Sequence, residues 1–396
     1  MTTEKILAAL SNVQEPDLGK DLVTLNMVKD IKVEGNNVSF TVVLTTPACP
    51  MKDMIRNACV NAVKLLVSKD AVVEVNFTSN TTTKRTDEGK MLPKVKNIIA
   101  VVSGKGGVGK STVSANLALA LAQGGAKVGL MDADIYGPSV PIMFGVRGQR
   151  PMMVDVGQEQ PMIAPLEQYG IKLISIGLLV DEKNAVVWRG PMASSAIRQF
   201  VTDVFWDELD YLVVDMPPGT GDIHLTLMQT VPVTGAVIVT TPQDVALIDA
   251  KKAIAMFGQA QLNVPVIGLV ENMSYFTPAE LPENKYYIFG KDGGKRLADE
   301  YDIPFLGQIP IVQGIREGGD AGVPVMMGSD EITKAAFRSF AAFVVRSISM
   351  RECEYRGGRR LRQLCRLLVP LKLFFYHRGH RVLHRVHSQA AKAALF

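Results

Sequence analysis

Residues 104–111 read Gly-Lys-Gly-Gly-Val-Gly-Lys-Ser, the spacing G-x-x-x-x-G-K-[ST] of a phosphate-binding loop. Glycines there let backbone N–H groups turn inward around phosphate oxygens, and the start of the following helix adds positive potential. Lys110 is placed to neutralise β- and γ-phosphates, and Ser111 to offer its hydroxyl to Mg²⁺. Gly104, Lys105, Gly106, Gly107, Val108, Gly109, Lys110, Ser111 and Thr112 are therefore the expected ATP-binding residues. The second lysine, Lys105, is costly beside another ammonium unless anionic oxygens share it, so it too reads as a nucleotide contact.

Three carboxylates stand at the ends of apolar runs. KVGLMDADIYGPS carries Asp132 and Asp134, either of which could hold Mg²⁺ through water or orient the attacking water. YLVVDMPPGTGD places Asp215 where a metal-serving carboxylate belongs, and Gly219 would let the backbone approach a γ-phosphate. A single Asp after a strand reads equally well as a helix N-cap; three of them beside a phosphate loop read as chemistry. VIGLVENMS sets Asn272 at another strand end, where its amide could pair with a base edge.

Two cysteines lie in the body of the chain. Cys49, in TTPACP just before a helix start, is a candidate thiolate for reaction or metal ligation. Cys59 falls on the apolar face of an amphipathic stretch and reads as core. Four scattered cysteines make no disulfide framework and suit a reducing compartment.

The elements that must position these groups follow from the patterning. Residues 1–80 read as a small α+β domain: helical spacing in MTTEKILAALSNV, two β-rich runs about Gly35-Asn36-Asn37, an amphipathic helix after Pro50, and a closing strand in AVVEVNFTS. The polar stretch 81–96 reads as a linker. From Asn97 to about Met350, the runs IIAVVS, KVGLMD, KLISIG, YLVVDM, AVIVTT, VIGLVE and FLGQIP alternate with helix-length segments. Unbroken apolar strands alternating with helices predict a doubly wound, mostly parallel α/β sheet covered on both faces. Ligands of such folds bind at the carboxyl ends of the strands, where the residues above fall.

Composition narrows the function classes. The chain has 396 residues and a net charge of +4, but residues 351–396 carry nine Arg and two Lys against two Glu. The other 350 residues are mildly acidic, with 32 basic against 37 acidic, which argues against a nucleic-acid-binding main domain. No apolar run reaches membrane-spanning length, and the N-terminus lacks the core of a signal peptide, so a cytoplasmic protein is expected. The basic end, with four of the five histidines, reads as a non-native or disordered tail; a surface-binding amphipathic helix or a His-rich metal site are the alternatives.

GKGGVGKS, MDADIYGPS, WRGPMASSAIRQF, VVDMPPGTGDIHLTL and ENMS occur in that order over roughly residues 95–345. Together they resemble the Mrp/ApbC family of P-loop ATPases, which act as iron–sulfur cluster carriers. QEPDLGKDLVTLNMV and LTTPACPM resemble the small MIP18-like domain that often precedes the ATPase. The resemblance implies a P-loop NTPase that binds and hydrolyses ATP and passes a cluster, commonly [4Fe–4S], to apo iron–sulfur proteins with assembly factors. KGGVGK also resembles the deviant Walker A loop, whose extra lysine reaches a partner's nucleotide; this implies a homodimer bridged through Lys105. By carry-over, Asp134 (or Asp132) supports hydrolysis, Asp215 serves the metal, Asn272 faces adenine and Cys49 is the best cluster ligand; Glu15 and Asp17 carry resemblance without mechanism. One departure stands out: the Cys-x-x-Cys pair that follows ENM in many carriers is replaced by SYFTPAELPENKYYIFGKDGG, without cysteine. That absence favours the alternative, a nucleotide-switched scaffold or positioning ATPase of the ParA/MinD type, whereas the WRGPM and DMPPGTGD stretches and the N-terminal domain favour the carrier, which is the expected function.

Overall fold

Apolar–polar alternation in NVSFTVVL buries Val38, Phe40, Val42 and Leu44 on one face of a strand. In the computed structural model, this strand is the centre of a three-stranded sheet. The structure describes all residues except 17, 80–90, 158–159, 181–189, 260–261, 263, 279, 282 and 358–396. The small unit comprises α1 (Thr3–Leu10), β1 (Val28–Glu34), β2 (Asn37–Leu44), α2 (Lys52–Leu66) and β3 (Val72–Ser79). β2 pairs antiparallel with β1 through a tight turn and parallel with β3. Ile55, Cys59 and Val63 recur every four residues along α2 and pack with Ile6 and Leu10 of α1 on the sheet's apolar face.

The larger unit is built from strands buried on both faces. In chain order it runs β4 (Val95–Val102), α3 (Lys110–Gln123), β5 (Val128–Asp132), β6 (Leu166–Gln168), β7 (Ile171–Ser175), α4 (Gly190–Thr202), β8 (Leu209–Asp215), α5 (Asp222–Thr230), β9 (Gly235–Thr240), α6 (Asp244–Phe257), β10 (Val266–Glu271), α7 (Gly293–Glu300), β11 (Phe305–Gln308), α8 (Gln313–Asp320) and α9 (Glu331–Gly357). The strands form one eight-stranded sheet in the order β6-β7-β5-β8-β4-β9-β10-β11. Only the short edge strand β6 is antiparallel. It is an element the patterning did not single out. Period two divides the core: Ile98, Ala100 and Val102 of β4 face the layer of α4 and α6, while Ile99 and Val101 face that of α3 and α9.

The two units share a contact. Thr46, just past β2, hydrogen-bonds the hydroxyl of Tyr211 at 2.7 Å, and both side chains are buried. Ala48 packs on the core layer of α3, and a Cβ on Gly124, beyond the end of α3, would lie 2.9 Å from its methyl carbon. α9 is helical through Gly357, and the rest of the basic tail lies outside the described residues. Among the described residues no helix is long and apolar enough to cross a membrane.

Candidate functional site

The register of three strands brings the acidic residues together. Asp132 at the end of β5 stands opposite Asp215 at the end of β8, and Asp215 stands opposite Val101 of β4, directly before the glycine loop. The loop then turns into α3 with Gly109 as N-cap at φ +80° and Lys110 as the first helical residue. Only glycine suits position 109: the backbone is left-handed, and a Cβ would lie 2.3 Å from Nδ2 of Asn272. At Gly104 a Cβ would meet the backbone oxygen of Asp249 on α6 at 2.1 Å, so the helix packs directly on the loop's root.

Lys110 is buried at the centre. Its Nζ lies 2.7 Å from Oδ1 of Asp215, 3.2 Å from Oγ of Ser111 and 3.8 Å from Oδ2 of Asp134. Ser114, one turn along α3, donates a second hydrogen bond to Oδ1 of Asp215 at 2.7 Å. Oδ2 of Asp215 is buried without a hydrogen-bond partner. A Mg²⁺ ion binds through one or two carboxylates, a hydroxyl, phosphate and waters. The unpaired Oδ2 of Asp215 and the hydroxyl of Ser111, both on groups that meet at Lys110, are donors of the kind such an ion takes.

The two candidate carboxylates of the β5 loop have different surroundings. Asp132 is fully buried and accepts hydrogen bonds from Ser175 Oγ at 2.9 Å and from the backbone N–H groups of Asp134 (3.1 Å) and Val140 (3.4 Å). Burial, reinforced by the charge of Asp215, pushes its pKa up to about 8. Its bonds all go to the fold: it holds the loop that carries Asp134. Asp134 is instead partly exposed, facing Lys110 and a cavity of about 420 Å³. Burial raises its pKa and Lys110 draws it back, which leaves a carboxylate more basic than in water.

The side-chain amide of Asn272 donates to the carbonyl of Val108 at 2.8 Å, while its own N–H bonds Thr240. The physical reason is position: β10 ends level with Thr240 of β9, and the next residue turns under the glycine loop. Glu271 before it caps α7, accepting from the N–H of Gly294 at 2.6 Å. Lys105, Gly106 and Gly107 are exposed, and Lys105 forms no ion pair among the described residues. With Val108, Thr241, Met273 and Phe289 they rim a second hollow of about 110 Å³.

His224, on the first turn of α5, is the group the sequence reading missed. It lines the larger cavity with Asp134, is 0% exposed, and neither ring nitrogen has a hydrogen-bond partner. Burial lowers its pKa to about 4, helped by the charge of Lys110; the nearby carbonyls of Gly221 and Pro217 oppose this without reaching hydrogen-bonding geometry. The one available signal was that this is the single histidine outside the tail, two residues past the PPGTGD stretch. Unpaired buried polar atoms gather here: apart from Asn97, those among the described residues belong to Ser103, Asp215, His224 and Thr241, all around the phosphate loop.

A family model described as NUBPL iron-transfer P-loop NTPase matches residues 94–345, and one described as iron-sulfur cluster assembly protein matches residues 3–77. This chain belongs to the NUBPL iron-transfer P-loop NTPase family. A protein of Synechocystis sp. named iron-sulfur cluster carrier protein is 49% identical over 352 residues, 88% of this chain and 99% of the relative. One of the same name from Escherichia coli strain K12 is 45% identical over 327 residues, 82% of this chain and 86% of the relative. A solved nucleotide-binding protein from Archaeoglobus fulgidus, in complex with ADP, is 41% identical with a TM-score of 0.51, over 59% of this chain and 88% of that one. These likenesses bear out the resemblance to the carrier ATPases and the P-loop α/β fold.

In this iron-transfer NTPase Cys49 and Cys59 both belong to the small unit and pack with its core rather than at the loop. Cys49 is half-buried in the turn before α2, one residue from Ala48. Cys59 is fully buried and its thiol is pushed up to about 12, the behaviour of a small core hydrophobe. No group of three or more His, Cys, Asp or Glu is arranged to hold a metal among the described residues. Glu15 is buried and accepts the N–H of Leu18, shaping a turn, whereas Asp17 lies outside the described residues.

Proposed function

We propose that this chain is an ATP-hydrolysing carrier that binds iron–sulfur clusters and passes them to apo iron–sulfur proteins, acting in the cytoplasm as a homodimer. The observation that carries the reading is the convergence on Lys110: a glycine loop, Asp215 and Asp134 meet at one buried ammonium. Supporting it are relatives named as cluster carriers that match 88% and 82% of this chain. Lys110 binds the β- and γ-phosphates, exchanging its contact with Asp215 for phosphate oxygens. Ser111 and Oδ2 of Asp215 would hold Mg²⁺, which supplies charge neutralisation on the phosphates. Asp134 orients a water whose oxygen bonds to the γ-phosphorus as the bond to the β–γ bridging oxygen breaks, its electron pair leaving with ADP. The water's proton passes to the Asp134 carboxylate and on to the released phosphate. Lys105, exposed at the rim, reaches the nucleotide of a second copy, and hydrolysis opens and closes the pair. With Lys105→Ala we expect a monomer in the presence of ATP and turnover at least about tenfold slower; a dimeric, equally active variant would remove the bridging role.

The cluster is cargo, and Cys49 is its best ligand in the body of the chain. Two copies supply two such thiolates, so a [4Fe–4S] cluster would need two further ligands from elsewhere or from a recipient. Anaerobic reconstitution with iron and sulfide, read by visible absorbance and iron count, should load the wild type and leave Cys49→Ser largely empty. If neither protein holds iron, the second reading stands in its place: a nucleotide-switched scaffold, favoured by the cysteine-free segment after Asn272.

A further inference from the structure

We propose that His224 is a positioning residue for hydrolysis, hydrogen-bonding through its ring nitrogens the water that Asp134 orients across the same cavity. The inference rests on the ATPase reading above. Three observations carry it. A fully buried imidazole with both nitrogens unpaired is a poor structural choice, since each unmet polar group carries its desolvation cost and an apolar side chain would fill the space without it. The cavity it lines is roomy enough for several waters and contains Asp134, whose carboxylate is 3.8 Å from Lys110 Nζ. The segment before it, Pro217–Gly221, is tied to the phosphate loop, because the N–H of Gly219 donates to the carbonyl of Ser103 at 2.9 Å.

The chemistry is that of a neutral imidazole. Beside Lys110 and away from solvent, the ring presents one N–H donor and one bare nitrogen acceptor. A water donating one hydrogen to the bare nitrogen and the other to Asp134 is left with its lone pairs free for attack. His224 neither gains nor loses a proton in the step; the proton still leaves through Asp134. A side-chain amide at this position offers a similar donor and acceptor, whereas an apolar side chain offers neither.

The test compares wild type, His224→Leu and His224→Gln by fluorescent ATP-analogue binding, thermal unfolding, and steady-state hydrolysis resolved into kcat and KM. We expect the Leu variant to bind ATP within about twofold of wild type and melt no lower, while kcat falls about tenfold or more with KM little changed. The Gln variant should recover most of kcat. Should Leu fail to fold, His224→Met reads the same loss. A Leu or Met variant with wild-type kcat, or a Gln variant as slow as Leu, overturns the proposal. Wild-type protein that binds but never hydrolyses ATP overturns the ATPase reading itself, and this one with it.

Discussion

At the scale of single residues, the site is governed by where charge is allowed to sit. Lys110 is buried only because Asp215, Ser111 and Asp134 surround it; an unpaired ammonium there would cost several kcal/mol. His224 shows the opposite solution, staying neutral. Its pKa is about 4 when folded against 6.5 in an exposed chain, so between those values the unfolded chain binds the extra proton. Folding therefore weakens as pH falls from about 6.5 towards 4, and above 6.5 the group contributes no slope. Urea unfolding of wild type and His224→Leu should show the wild type losing about 2 kcal/mol relative to the variant between pH 7 and pH 5. An unchanged difference at the two pH values would mean that the imidazole is not held neutral by the fold.

At the scale of elements, strand ends act as a ruler. Because β5, β8 and β4 run parallel in strict register, Asp132, Asp215 and the start of the loop arrive side by side without any long-range sequence signal. The same geometry hands Asn272 to the underside of the loop. Its bond to Val108 makes it a clamp on backbone shape, so Asn272→Ala should weaken ATP and GTP equally, by about fivefold each for a lost hydrogen bond of about 1 kcal/mol. Isothermal titration with both nucleotides decides between the two roles: a loss confined to ATP would mean that Asn272 faces adenine instead. Asp132 belongs at this scale too, since its three hydrogen bonds shape the turn that aims Asp134.

At the scale of the whole molecule, α3 joins two places where chemistry is proposed. Its first residue is Lys110, and just past its last lies Gly124, against Ala48 and next to Cys49. Fourteen helical residues separate them by about 20 Å, so nucleotide and thiol lie at opposite ends of one rod. Tyr211 and Asp215 make a second link along β8, about 13 Å long, with the Thr46 bond at one end and Lys110 at the other. Tyr211→Phe removes that bond at a cost of about 1 kcal/mol, and alkylation of Cys49 should quicken about fivefold; an unchanged rate would show that the contact does not hold the cysteine turn. The order of amino acids alone specifies the phosphate loop, the parallel strands and the carboxylates at their ends, because glycine freedom and apolar periodicity are local properties. It also separated Cys59 as core, since helical spacing alone assigns that face. Folding in three dimensions settles the rest: which carboxylate faces the cavity, that Asn272 bonds the loop, that His224 is buried unpaired, and that the turn of Cys49 sits at the far end of α3. Each of those depends on strand register and on packing between segments tens to hundreds of residues apart, and no local pattern in the chain encodes such neighbours.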